Sequence, residues 1–419
     1  MDLKLNRIPE NTKKIHIIAV CGTGMGALAC MLAEKGYAVT GSDQGIYPPM
    51  STFLARKGID VTQGFRSENI PPDTDLVIIG NAVRRNNPEA VATRVGGYCY
   101  CSLPQALNHF AAKGKETLLF TGTHGKTTTS AMMAWILHYA NLDPSFMIGG
   151  ILKNFDANYR LGNGRHMVIE GDEYDTAFFD KGAKFLHFQP HLAVLTSVEF
   201  DHADIFRLTD VSVNQSATNF QVLHNNQPHG RFTTRMLGEH NLLNALSVIA
   251  MAAHLNIPTD TVSEALLSFK GIKRRQEKRG IVRGITVMDD FAHHPTAVRE
   301  TIRAVKPICT DGRLIAVFEP RTNTSMRDVF QTVYPGAFDD ADLICIRKPP
   351  LLEKVPKGQR FSSEQLVEDL NQRGKTAHFF PDTDTLLDFL TAEAVSGDVV
   401  LIMSNGEFDN IHDRLLKRL

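Results

Sequence analysis

Apolar residues recur along this chain in two rhythms. Short unbroken runs such as KIHIIAV, TDLVIIGN, ETLLFTG and DVVLIMSNG read as buried strands, each closed by Gly, Asn or a polar group. Longer segments between them, MGALACMLAEKG, TTSAMMAWILHYA and EHNLLNALSVIAMAAHL among them, read as helices. The alternation runs through three times, which predicts α/β domains with mostly parallel sheets. Lys- and Gly-containing joints near residues 113 and 271 divide the chain into 1–113, 114–271 and 272–419. The stretch from Arg207 to Arg235 has no clear period and many Asn, Gln and His; it reads as a flexible loop or the remnant of a longer region.

Composition narrows the class without choosing a function. The 419 residues are 43% hydrophobic and 22% charged, ordinary for a globular protein with sizeable cores. A formal net charge of −1 gives no reason to expect nucleic acid or an anionic membrane as partner. The opening MDLKLNRIPENTKK has no apolar signal core, and no apolar run approaches the ~18 residues of a membrane span, so a cytoplasmic protein is expected. The six cysteines form no C-x-x-C pair and read as reduced thiols.

The chemistry gathers where strands end. ETLLFTG runs into Gly122-Thr123-His124-Gly125-Lys126-Thr127-Thr128 and then a helix. A turn at a helix N-terminus gathers backbone N–H groups toward an anion, a lysine there reaches terminal phosphates, and a threonine hydroxyl can ligate Mg²⁺. Phe120 stands where a P-loop usually has its first glycine. Gly22, Thr23, Gly24, Met25 and Gly26 also follow a strand and open a helix, with Asp43 about 20 residues on. The third glycine is one place early, so the loop suits either NAD(P) or another diphosphate such as a UDP-sugar. VIEGDEYD carries Glu170 and Glu173 beyond a strand, where acids can hold Mg²⁺. EFDHADIF does the same with His202, MDDFAHHP with Asp290 and His293, and FKGIKRRQEKRG supplies Arg275.

In order and spacing, TGTHGKTTT, EGDEYD, EFDHADIF, GEHNLLNAL, FKGIKRRQE and DDFAHHPT resemble the Mur ligases, ATP-dependent amide-forming enzymes of bacterial cell-wall synthesis. The resemblance spans nearly the whole chain. It implies Rossmann-like N- and C-terminal domains for the UDP-sugar and the incoming peptide, around a central P-loop ATPase domain. It also accounts for Phe120, since the family's loop lacks the distant first glycine. It implies ATP and Mg²⁺ as cofactors. Gly122, Thr123, His124, Gly125, Lys126, Thr127, Thr128, Asn241 (with His240 nearby), Arg275 and Asp290 would serve ATP. Thr127, Glu170 and His202 would serve metal, with Glu173 in reserve. Gly22, Thr23, Gly24, Met25, Gly26, Ser42, Asp43 and Asn81 would serve the UDP-sugar. His293 and Arg321 would line the acyl-phosphate side, with Arg321 and Arg327 for the peptide. The Gly271 region would be a hinge. YPPMST, FEPRTNT and EFDHADIF tilt the resemblance toward the branch that joins L-Ala-γ-D-Glu-meso-diaminopimelate to UDP-N-acetylmuramate, over the branch that adds L-alanine. An NAD(P) oxidoreductase is the alternative of another class. The chain departs from the family in having fewer residues before GEHN, and in Glu407, Asp409 and Asn410 where glycines are usual.

Overall fold

A computed structural model describes residues 1–196, 206–214, 217–321, 324–350 and 352–419. They form two compact units, one of Met1–Arg207, Val222–Gly230 and Asn244–Lys270, the other of Leu208–Gln221, Arg231–Leu243 and Gly271–Leu419. The division at Lys270–Gly271 falls where Gly271 has φ +79°.

The first sheet holds β1 (Lys14–Ile18), β2 (Ala38–Asp43), β3 (Asp60–Gln63), β4 (Leu76–Ile79) and β5 (Tyr100–Ser102). All pairs are parallel, in the order β3-β2-β1-β4-β5. Its helices are α1 (Thr23–Glu34), α2 (Met50–Arg56), α3 (Pro88–Val95) and α4 (Leu103–Leu107). A helix that is apolar all round must be covered all round, and every residue of α1 from Met25 to Leu32 is buried. The helix packs against β2 of the first sheet and against two strands of the second, Ser145–Leu152 and Ala157–Arg160. Its buried side chains belong to one continuous core with Ile15, Ile17, Leu76 and Ile78 of the first sheet and Leu119, Met147, Met167 and Ile169 of the second.

That second sheet holds β6 (Glu116–Thr121), β7 (Ser145–Leu152), β8 (Ala157–Arg160), β9 (His166–Gly171) and, after the small antiparallel pair β10 (Asp175–Ala177) and β11 (Asp180–Ala183), β12 (Leu192–Leu195). The order is β12-β6-β9-β7-β8, parallel except for β8 against β7. Helix α5 (Lys126–Tyr139) leaves β6. The indole of Trp135 donates to Ala265 O at 3.0 Å, tying α5 to α7 (Thr259–Ser268), which follows α6 (Glu239–His254).

The expected flexible loop is instead a three-stranded sheet: β13 (Phe206–Val213), β14 (Thr218–His224) and β15 (Gln227–Thr234). The period is there but sparse. Thr218, Phe220 and Val222 are buried at every second position, as are Phe232 and Thr234. Asn225 and Asn226, at φ +50° and +62°, form the two-residue turn that such a hairpin requires.

The last sheet is β16 (Glu277–Val282), β17 (Ile285–Asp290), β18 (Leu314–Phe318), β19 (Leu343–Arg347), β20 (Thr376–Phe380) and β21 (Val399–Met403), in the order β16-β17-β21-β18-β19-β20. Five strands are parallel, as the apolar runs predict; β16 is antiparallel because only Arg283 and Gly284 separate it from β17. Helices α8 (Pro295–Val305), α9 (Ser363–Gln372), α10 (Thr383–Glu393) and α11 (Ile411–Arg418) accompany it.

Candidate active site

At the end of β6 the backbone turns left-handed twice, at Gly122 (φ +125°) and Gly125 (φ +83°). Gly125 caps α5 and leaves no room for a side chain, since an added Cβ would sit 2.5 Å from Asn244 Oδ1. Asn244 Oδ1 also accepts from Thr129 Oγ1 at 3.1 Å, so the first turn of α5 is fixed from behind. Lys126 Nζ lies over the loop, donating to Gly122 O at 2.6 Å and to Glu173 Oε2 at 2.8 Å. Thr127 Oγ1 donates to Glu170 Oε1 at 2.8 Å, and Glu170 Oε2 accepts from Gly149 N at 2.7 Å. The two acids of the turn are thereby distinguished: Glu170 is paired with the loop threonine, Glu173 with the loop lysine.

Hard oxygen donors side by side at a helix N-terminus suit Mg²⁺, which takes one or two protein ligands and fills its octahedron with phosphate and water. Thr127 and Glu170 fit that description. Among the described residues no group of three His, Cys, Asp or Glu forms a self-sufficient metal cage. His202 lies outside the described residues. Thr123 and His124 are exposed on the loop, His124 O accepting from the Thr196 hydroxyl, and Thr128 is buried on α5.

The Gly22 loop is ordered differently. Asp43 Oδ2 accepts from Cys21 N at 2.8 Å and Oδ1 from Gly45 N at 3.1 Å, so this carboxylate holds the loop that Gly22, Thr23 and Gly24 complete. Ser42 does not face the loop: it is fully buried and its hydroxyl donates to Glu89, which is buried too. Glu89 also takes His16 at 3.3 Å, Arg66 N at 3.2 Å and Asn69 Nδ2 at 2.6 Å. Burial pushes its carboxyl up, but bonds from His16, Ser42 and Asn69 outweigh that and hold it below the usual glutamate range. Nothing in the sequence marks Glu89 as a hub. Met25 and Gly26 are buried in α1; an added Cβ on Gly26 would meet the Met50 methyl at 2.7 Å. Asn81 lines a cleft of about 610 Å³ beyond β4, facing the β10–β11 hairpin, with Arg84, Arg85, Tyr174 and Lys181. A basic pair separated by four residues from an apolar strand is the signal the sequence offers for Arg84 and Arg85.

In the other unit, Gln276 is the centre of a second cluster. Asp290 Oδ2 accepts from Gln276 N at 2.7 Å and Oδ1 from Ala292 N at 2.7 Å. Asp290 is buried, which raises its carboxyl pKa against the Arg275 charge and those amides. It therefore shapes the Arg275–Gln276 backbone and does not itself present an oxygen outward. Asn241 Nδ2 donates to Leu237 O at 2.8 Å and reaches Gln276 Oε1 at 3.3 Å; His240 Nε2 lies 3.4 Å from Gln276 Nε2. Burial lowers the His240 and His293 pKa values. His293 Nδ1 is 3.0 Å from Phe291 O. The guanidinium groups of Arg274 and Arg275 lie 5.1 and 5.0 Å from the Phe291 ring. Arg321 meets Glu319 at 3.5 Å, whereas Arg327 is exposed and bonded to Gln359 Oε1 at 2.9 Å.

Three family models match in chain order: the Mur ligase family catalytic domain over 14–115, the Mur ligase middle domain over 120–210, and the Mur ligase glutamate ligase domain over 274–406. The chain is 37% identical to the UDP-N-acetylmuramate–L-alanyl-γ-D-glutamyl-meso-2,6-diaminoheptandioate ligase of Escherichia coli, over 97% of this chain and 98% of that one. Among solved structures, a murein peptide ligase from Psychrobacter arcticus matches at 32% identity and TM-score 0.71. A UDP-N-acetylmuramate–alanine ligase from Thermotoga maritima matches at 25% identity and TM-score 0.81. Each covers 97% of this chain and 98% of its own.

Proposed function

The chain belongs to the Mur ligase family, and we propose that it joins L-Ala-γ-D-Glu-meso-diaminopimelate to UDP-N-acetylmuramate with hydrolysis of ATP to ADP and phosphate. The observation that carries this reading is the pairing of Thr127 with Glu170 under Lys126, in a chain 37% identical over nearly its whole length to a ligase of that name. The greater identity to tripeptide ligases than to the alanine ligases supports the tripeptide as acceptor; the TM-score of the alanine ligase speaks only to shared fold. A dehydrogenase has no need of the Lys126 loop.

The carboxylate of the sugar's lactyl group takes the γ-phosphoryl group of ATP, ADP leaves, and the amine of the peptide then displaces phosphate from the acyl phosphate. Charge spreads over the transferring group, so catalysis is positioning plus electrostatics. Bound Mg²⁺ would neutralise phosphate charge at Thr127 and Glu170. Lys126 would turn from Gly122 O and Glu173 to the β- and γ-phosphates, and the loop N–H groups from Gly122 to Thr128 would cradle them. Arg275, shaped by Asp290, would add a cation, Asn241 and His240 would face the adenine, and His293 the reacting carboxylate. The Gly22–Gly26 loop would take the UDP diphosphate, with Arg84, Arg85 and Lys181 in the adjoining cleft for the sugar's anionic groups. Phosphate release with ATP, Mg²⁺ and UDP-N-acetylmuramate tests the reading. Release is expected with the tripeptide and far less with L-alanine; preference for L-alanine would reverse the acceptor assignment and leave the ligase chemistry.

A further inference from the structure

At the carboxyl ends of β18, β19 and β21, four charged side chains form one chain of contacts. Glu319, fully buried, takes Arg347 Nη1 on Oε2 at 2.9 Å, Ser404 Oγ on Oε1 at 2.8 Å, and Arg321 Nη1 at 3.5 Å. Arg347 Nη2 continues to Asp409 Oδ2 at 2.8 Å, and Asp409 Oδ2 takes the Thr383 hydroxyl at 2.6 Å. Asp409 lies in a run of three left-handed residues, Phe408, Asp409 and Asn410, at φ +48°, +48° and +55°. Each non-glycine residue there costs on the order of 1 kcal/mol, so the turn needs the anchors that Arg347 and Thr383 give it.

The two arginines are not equivalent. Arg347 is 9% exposed and spends its guanidinium on Glu319, Lys348 O and Asp409. Arg321 is 28% exposed, and among the described residues its ion partner is Glu319 alone. Its Cδ and Nε pass over Gly406, where a Cβ would stand 2.1 and 2.4 Å from them. Gly406 O is itself held by Arg274 Nη2 at 2.7 Å. With two cations and two anions the chain is neutral overall, and Arg321 is its outer end. In open α/β sheets ligands bind beyond the carboxyl ends of the strands, and a guanidinium with one edge held from behind offers its other N–H groups to a carboxylate.

We infer that Glu319 is a positioning residue for acceptor recognition, holding Arg321 over Gly406 so that its guanidinium receives a carboxylate of the incoming peptide, while Asp409 keeps Arg347 out of that role. This rests on the proposed function only for the identity of the acceptor.

The test is steady-state kinetics of Glu319→Gln with each substrate varied in turn. Expected is a rise of about tenfold or more in KM for the tripeptide, a smaller change in kcat, and KM for ATP and UDP-N-acetylmuramate within about twofold; loss of one charge-assisted contact is of this order. The wild-type enzyme should discriminate against a tripeptide amidated at its carboxylates, and Glu319→Gln should discriminate less. All three KM values moving together, or an unchanged tripeptide KM in a folded variant, would overturn the inference. If Glu319→Gln does not fold, Arg321→Lys decides: it keeps a cation beside Glu319 but loses the fork, so a raised tripeptide KM supports the assignment and an unchanged one refutes it. A wild-type enzyme inactive with the tripeptide would instead count against the proposed function.

Discussion

Two glycine-rich loops of this molecule each leave a parallel strand and open a helix, yet their glycines are there for different reasons. At Gly122 and Gly125 the backbone itself is left-handed, and Asn244 fills the space above Gly125. At Gly22 the helix cap is ordinary, with φ −63°, and what the first sheet requires is close approach: a Cβ on Gly41 would lie 2.7 Å from Val20 Cβ, and one on Gly26 2.7 Å from the Met50 methyl. One loop is shaped by conformation, the other by packing and by the Asp43 carboxylate behind it. The same letters in a sequence therefore report different physics, and substitution separates them.

The largest effect belongs to the loop with the lysine. Lys126→Ala should cut the ligase rate by about 10²–10³, the usual loss for one preorganised charge at a transition state; single-turnover phosphate transfer measures it, and near-full activity would remove Lys126 from the mechanism. Gly125→Ala comes next. Strain at φ +83° costs about 1–2 kcal/mol and the contact with Asn244 adds to it, so urea unfolding should shift and ATP binding weaken together. Gly41→Ala should lower stability by about 1–3 kcal/mol through overpacking while ATP affinity stays put; a fall in ATP affinity would break the distinction between the loops. Glu89 gives a smaller, pH-dependent effect. Its folded pKa is lowered, so its contribution is present above the unfolded glutamate pKa and is lost as pH falls through the folded value. Glu89→Gln should therefore flatten the acid side of the stability curve, with less change at pH 4 and below than at pH 7. Smallest is Gly26→Ala, where the mobile end of Met50 can yield and a helix-propensity gain of about 1 kcal/mol offsets the crowding.

The parts legible in the sequence were those where one residue type has one use. The apolar strands β1, β6, β18 and β21 are read from their unbroken apolar runs alone, whereas Glu170 and Glu173, two acids in one turn, are told apart only by their partners Thr127 and Lys126. The hairpin at Asn225–Asn226 was missed because its buried positions, Phe220, Val222 and Phe232, are separated by polar residues that dilute the alternation. That Asp290 is saturated by Gln276 N and Ala292 N is not legible, because backbone amides leave no trace in a sequence. Glu89 is not legible either, for another reason: its partners His16, Ser42 and Asn69 are distant in sequence and only the fold brings them around it. The resemblance implies Ser42 as a UDP-sugar contact beside Asp43, whereas strand alternation sends its side chain the other way, into that hub.

Helix α1 is covered on all sides, and the residues that cover it come from both of the first two sheets. Where the sequence divides near residue 113, the core does not. In denaturant the two sheets should melt as one cooperative step, since neither can lose its structure while α1 stays solvated on one face only. A fragment ending at residue 113 would leave the face of α1 that packs on β7 and β8 bare to water, and such fragments self-associate. The chemical modules of this chain and its units of folding are therefore not the same pieces.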